Sequence, residues 1–117
     1  QLAAGMWYVS SPASSRCKHL AAARLLGLGP GEVVLDWGAG CGHGLAWIAA
    51  EHRTLGLAAD LLPENVAWAL ARTPAVAGRA EGSYAKVFAA LPTASVDHVI
   101  SNGLVNSLRL KHQCRIV

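Results

Sequence analysis

The residues richest in chemistry lie in "VVLDWGAGCGHG", where Asp36 precedes glycines at positions 38, 40, 42 and 44. Glycine permits positive φ and tight turns. It also lets another group reach the backbone, and the next helix presents free N–H groups at its start. A phosphate, a dinucleotide, another nucleotide-like cofactor or only a neighbouring helix would each suit such a loop. A second acid, Asp60, closes the apolar run "TLGLAAD". Ionised, it offers two acceptor oxygens and no donor.

Elements must hold these residues in place. "EVVLDW" is a short β-branched run and reads as a strand buried on both faces. Leu45, Ile48 and Ala49 mark a helix after the glycines, and "TLGLAAD" reads as a second buried strand. Pro63 suits a first helical position, so "PENVAWALAR" continues as helix up to Pro74. "AVAGRAE" is a weaker third strand. Tyr84, Val87, Phe88 and Leu91 follow at helical spacing, and "SVDHVISN" is the last strand. Upstream, residues 1–13 read as an irregular arm, with Ser14 or Ser15 capping a helix. Its apolar positions are Cys17, Leu20, Ala21, Leu25 and Leu28, and "GLGPG" stops it. Strand and helix alternation predicts a parallel sheet with helices on both faces. Ligands of such sheets bind beyond the carboxyl ends of the strands, where strand order reverses.

The chain has 117 residues, 53% hydrophobic and 15% charged, which suits one folded domain rather than a disordered segment. No apolar run is long enough to span a membrane, and the first residues lack the pattern of a signal peptide. Three cysteines, an odd number and far apart, form no disulfide framework. They fit a reducing, intracellular compartment. The net charge of +3 is partly concentrated in "RCKH" and "RLKHQCR". Without interleaved aromatics these read as solvated surface rather than a nucleic-acid patch. The four tryptophans, Trp7, Trp37, Trp47 and Trp68, read as packing residues.

The glycine loop is not a Walker phosphate loop, which needs Lys and Ser or Thr after its last glycine. Nor does it match G-x-G-x-x-G: counted from Gly38 the third glycine falls on His43, and from Gly40 on Leu45. Cys41-x-His43 is not a metal-site spacing, and no metal site is predicted.

The pattern that remains, an acid at the strand end, one spacer and alternating glycines, resembles the first motif of class I S-adenosylmethionine-dependent methyltransferases. Asp60 in "GLAADLLPENVAWA" is similar to that family's acid on the second strand, and "LPTASVDHVISNGLVNSL" resembles its fourth-strand segment. The likeness covers roughly residues 15–108. It implies a Rossmann-like, doubly wound parallel α/β sheet, here partial, with four strands in the order 3-2-1-4 and helices on both faces. Residues 14–117 would form a partial cofactor-binding domain.

The resemblance implies S-adenosylmethionine as cofactor. Gly38, Ala39, Gly40 and Gly42 would lie against its methionine portion and ribose. Asp36 would face the methionine end, directly or through water. Asp60 would take the ribose hydroxyls, although Asp also caps helices. Leu61 and Leu62 would pack on the adenine. Arg79 aligns where the family often has an Asp for the adenine amino group, and arginine accepts no hydrogen bond. Glu81 or Ser83 is the substitute. Asn102 and Asn106 would line the acceptor side, and no catalytic residue is nominated. The function implied is methyl transfer to an unidentified acceptor, with "SNGLVNSL" closer to the small-molecule branch. The alternative is a catalytically inactive, methyltransferase-like scaffold in a larger assembly. The family's full sheet has strands in the order 3-2-1-4-5-7-6. Strand four is therefore expected to be covered by a missing C-terminal half or another protein chain.

Overall fold

The computed structural model describes residues 12–101. Helix and strand alternate: α1 (Pro12–Leu26), β1 (Val33–Trp37), α2 (His43–His52), β2 (Leu55–Asp60), α3 (Pro63–Arg72), β3 (Val76–Glu81), α4 (Tyr84–Ala90) and β4 (His98–Ile100). The strands form one parallel sheet in the order β3-β2-β1-β4, as expected. Strand order reverses at β1, so the loop leaving β1 stands at the switch point.

The two faces of the sheet follow from strand alternation. Val34, Ala58, Val76 and Ile100 pack with Ala23 of α1, Leu45 and Ile48 of α2 and Ala69 of α3. Leu35, Trp37, Ala59 and Ala80 point the other way and pack with Val87 of α4. The step from β3 across to β4 thus runs over the opposite face from the two earlier crossovers. Residues 34–37 of β1 are all buried, which explains a strand without polar alternation.

The start of the chain departs from expectation in two ways. α1 begins at Pro12 rather than after a Ser14 or Ser15 cap. Proline at a first helical turn loses no hydrogen bond, because its missing N–H would be unpaired there anyway. The expected apolar stripe is also only partly the buried one: Leu28 is buried and Leu20 half-buried. Cys17 and Ala21 are exposed and Leu25 is 89% exposed, whereas His19 and Ala23 are buried. Ala23 joins the core cluster with Ala22 packed against it, and α1 lies mainly along α2. Gly27, at φ +65°, ends the helix. The Gly27 N–H donates to the Arg24 carbonyl at 3.2 Å and the Leu28 N–H to the Ala23 carbonyl at 3.4 Å, a Schellman closure.

The expected last strand is shortened to three residues. A turn closes before it, the Ser95 N–H donating to the Pro92 carbonyl at 3.3 Å. Asp97 binds β1 from both sides of its own peptide. Its N–H donates to the Val33 carbonyl at 2.9 Å, and its Oδ2 accepts the Val33 N–H at 2.7 Å. Val99 on this strand is 56% exposed. Among the described residues, no helix is long and apolar enough to cross a membrane.

Candidate functional site

The loop after β1 is fastened to the end of β2. The Gly38 and Ala39 N–H groups both donate to the Ala59 carbonyl, at 2.8 and 3.0 Å. The Gly40 N–H donates to Asp60 Oδ2 at 3.0 Å. Asp60 Oδ1 accepts the Leu62 N–H at 2.9 Å and the Asn65 side-chain amide at 3.2 Å. One carboxylate therefore joins the glycine turn, the link to α3 and the first turn of α3. The cap position of α3 is Leu62, with no side-chain cap bond, so Asp60 is not the capping residue itself. A carboxylate offers about four lone-pair sites; three are engaged, and the half-buried side chain keeps capacity for a further donor.

The four glycines divide into two kinds. Gly38 and Gly40 shape the turn, with φ of +84° and +56°. Gly42 was expected to give way to a ligand. A Cβ there would lie 2.8 Å from the Ala69 Cβ and 3.1 Å from Thr73 Oγ1. The group approaching Gly42 is α3, one of the alternatives the sequence leaves open. A Cβ on Gly44 would collide with the His19 ring. Gly42 and Gly44 thus seat α2 against α3 and α1.

Asp36 lies in the interior, at the end of β1. It is 1% exposed, and both carboxylate oxygens are buried without a hydrogen-bond partner among the described residues. His19 Nε2 stands 3.4 Å from its Oδ2. The carboxylate thus lies against α1.

On β3 the register separates Arg79 from Glu81. Glu81 pairs with Asp60 at the carboxyl ends of the strands, while Arg79 lies back beside Ala58 and is exposed. Glu81 Oε2 is buried with no hydrogen-bond partner among the described residues. Ser83 is engaged otherwise: it caps α4, its hydroxyl accepting the Lys86 N–H at 3.4 Å. The segment 82–90 is the ordinary crossover into β4.

Leu61 and Leu62 are half-buried beside Asp60. Cys41 is buried in the turn; burial pushes its thiol pKa up, and the Asp60 charge adds to that. His43 is exposed and stacks on Trp47 with centroids 6.1 Å apart. Trp37 packs edge-on against Phe88 at 4.9 Å, and Arg72 lies over the Trp68 ring at 3.1 Å, so these tryptophans do serve packing. Among the described residues, no group of His, Cys, Asp or Glu is arranged to hold a metal. Trp7, Asn102 and Asn106 lie outside the described residues. Sequence reading missed His19 and Asn65. The signal for His19 was a polar residue in helical register with Ala22 and Ala23.

No family model matches the chain, and no curated protein does. Solved structures do. Phosphoethanolamine N-methyltransferase 2 of Haemonchus contortus, in complex with S-adenosyl-L-methionine, aligns with a TM-score of 0.65 at 22% identity, over 83% of this chain and 23% of that one. PKMT2 of Rickettsia typhi, in complex with AdoHcy, gives 0.57 at 21% identity, over 84% and 21%. The arsenic(III) S-adenosylmethionine methyltransferase CrArsM of Chlamydomonas reinhardtii gives 0.52 at 26% identity, over 72% and 33%. The chain thus spans no more than a third of the length of these proteins.

Proposed function

We propose, from the class I S-adenosylmethionine-dependent methyltransferase fold that this chain carries, that it binds S-adenosylmethionine and serves methyl transfer. The observation that carries this reading is the joint between Gly40 and Asp60, 3.0 Å long, at the switch point of the sheet. It holds a side-chain-free turn against a carboxylate with acceptor capacity to spare. Glu81, in register with Asp60, adds a buried oxygen without a partner among the described residues. Two neighbouring acceptors suit a donor-rich nucleoside, with its ribose diol and adenine amino group.

In this reading Gly38, Ala39 and Gly40 carry the methionine portion and ribose along the backbone. Asp60 accepts from the ribose hydroxyls, a charge-assisted contact. Leu61 and Leu62 pack on the adenine, and Glu81 accepts from its amino group. Gly42 acts indirectly, by letting α3 support the turn. Asp36 balances positive charge from beneath. The cofactor supplies a methyl group on a sulfonium, and its transfer is an in-line displacement governed by positioning and electrostatics. Asn102 is assigned to the acceptor side. The acceptor is proposed to be a small molecule, because "SNGLVNSL" lacks the Asn-Pro-Pro-Tyr run associated with amino-group methylation of bases and glutamine.

Calorimetric titration of the full-length protein with S-adenosylmethionine and S-adenosylhomocysteine tests the reading. Saturable binding is expected, weakened about tenfold or more by Asp60→Asn, which keeps the shape and removes the charge. No binding by the unaltered protein defeats the proposal. Binding indifferent to Asp60→Asn removes Asp60 from the ribose site.

A further inference from the structure

Asp36 presents a problem that the glycine turn does not solve. A carboxylate buried on all sides is costly unless a donor or an opposite charge faces it. Its partner comes from α1, an element outside the glycine loop: His19 Nε2, 3.4 Å from Asp36 Oδ2. The ring is held closely. It stands edge-on to Trp47 of α2, with centroids 5.9 Å apart. It also fills the space that a Cβ on Gly44 would need. Three elements thus converge on one imidazole, and its acceptor lies two residues before Gly38.

We propose that His19 is a positioning residue for the cofactor turn, acting through Asp36. The imidazole holds the carboxylate at the end of β1, and β1 in turn sets where Gly38, Ala39 and Gly40 begin. Gly44, in this view, is glycine because the imidazole must pass beside α2 to reach Asp36. The inference rests on the cofactor reading above and extends it: α1 becomes part of the binding apparatus, although none of its described side chains is assigned to the ligand.

The test compares two polar replacements in the full-length protein. His19→Gln can set its amide nitrogen near the place of Nε2, whereas the shorter His19→Asn leaves it near that of Nδ1, away from Asp36. Affinity for S-adenosylhomocysteine is read by calorimetry, with thermal melts to establish that each variant is folded. Asn is expected to weaken binding about tenfold and Gln to stay within about threefold, the difference made by one donor to a buried carboxylate. In an Asp36→Asn background the gap between the two should close, since the charge that needs the donor is gone. Equal affinities for His19→Asn and the unaltered protein overturn the inference while the cofactor reading stands, even if the melting temperature falls. An equal gap in both backgrounds overturns it as well, because His19 would then act without Asp36. Failure of the unaltered protein to bind removes the cofactor reading and this inference together.

Discussion

The Gly40 amide and the Asp60 carboxylate, 3.0 Å apart, connect the ends of two adjacent parallel strands through a side chain rather than through the sheet ladder. The same carboxylate accepts from Leu62 and Asn65. Replacing it should therefore loosen the turn and the start of α3 together. Asp60→Ala is expected to destabilise the protein by about 2–3 kcal/mol, since several donors lose their partner at once. Urea unfolding measures the loss. Hydrogen exchange should show the Gly40 and Leu62 amides losing protection, while the amides of β1 keep theirs.

Gly42 is predicted to be intolerant for reasons of packing. At φ +85° an L-residue is strained by about 1–2 kcal/mol. The added Cβ would also stand 2.8 Å from Ala69, and such overpacking costs roughly 1–3 kcal/mol. Gly42→Ala should lower the urea midpoint without changing the slope. Ala69→Gly in the same chain should recover part of the steric loss and none of the backbone strain.

Gly44 and His19 should behave as a coupled pair. Gly44→Ala alone drives a methyl into the imidazole and is expected to destabilise by about 1–3 kcal/mol. With His19→Ala the space is free, so the second substitution should cost much less in that background. A double-mutant cycle on thermal stability measures the coupling, expected at about 1 kcal/mol or more. Strict additivity would mean that the ring does not occupy the space beside Gly44.

The two described cysteines should differ in reactivity. Cys17 is exposed on α1, while Cys41 is buried in the turn with its thiol pushed up by burial and by Asp60. The thiolate is the reactive form. Near neutral pH, iodoacetamide should modify Cys17 well before Cys41, and peptide mapping by mass spectrometry separates the two. Raising the pH or adding denaturant should bring Cys41 forward. An S-adenosylhomocysteine-bound sample should protect Cys41 further if the turn closes around the ligand.

Much of the architecture was legible because parallel strands buried on both faces leave unbroken apolar runs. "EVVLDW" and "TLGLAAD" mark β1 and β2 to within one residue of the observed strands. Pro63 likewise marks the start of α3. Element order pointed to a parallel sheet with helices on both faces, whereas the strand order followed from the family resemblance of the glycine motif. The buried face of α1 was legible only in part. Leu28 keeps its expected place in the core, but Leu25 is exposed while His19 and Ala23 are buried, because the packed face is set by α2 and by Asp36 rather than by local hydrophobicity.

The sequence by itself determined the alternation of strands and helices, and with it the placing of an acid and a bare turn at the carboxyl edge of the sheet. Local chemistry suffices for that, because strand length, glycine and proline act within a few residues. Only the tertiary structure decided what each glycine and each acid faces. Gly42 meets α3, Gly44 meets His19, Asp36 turns inward and Glu81 comes level with Asp60. Those partners lie between about 17 and 27 residues away along the chain, and their contact depends on helix approach and strand register, which no local pattern encodes.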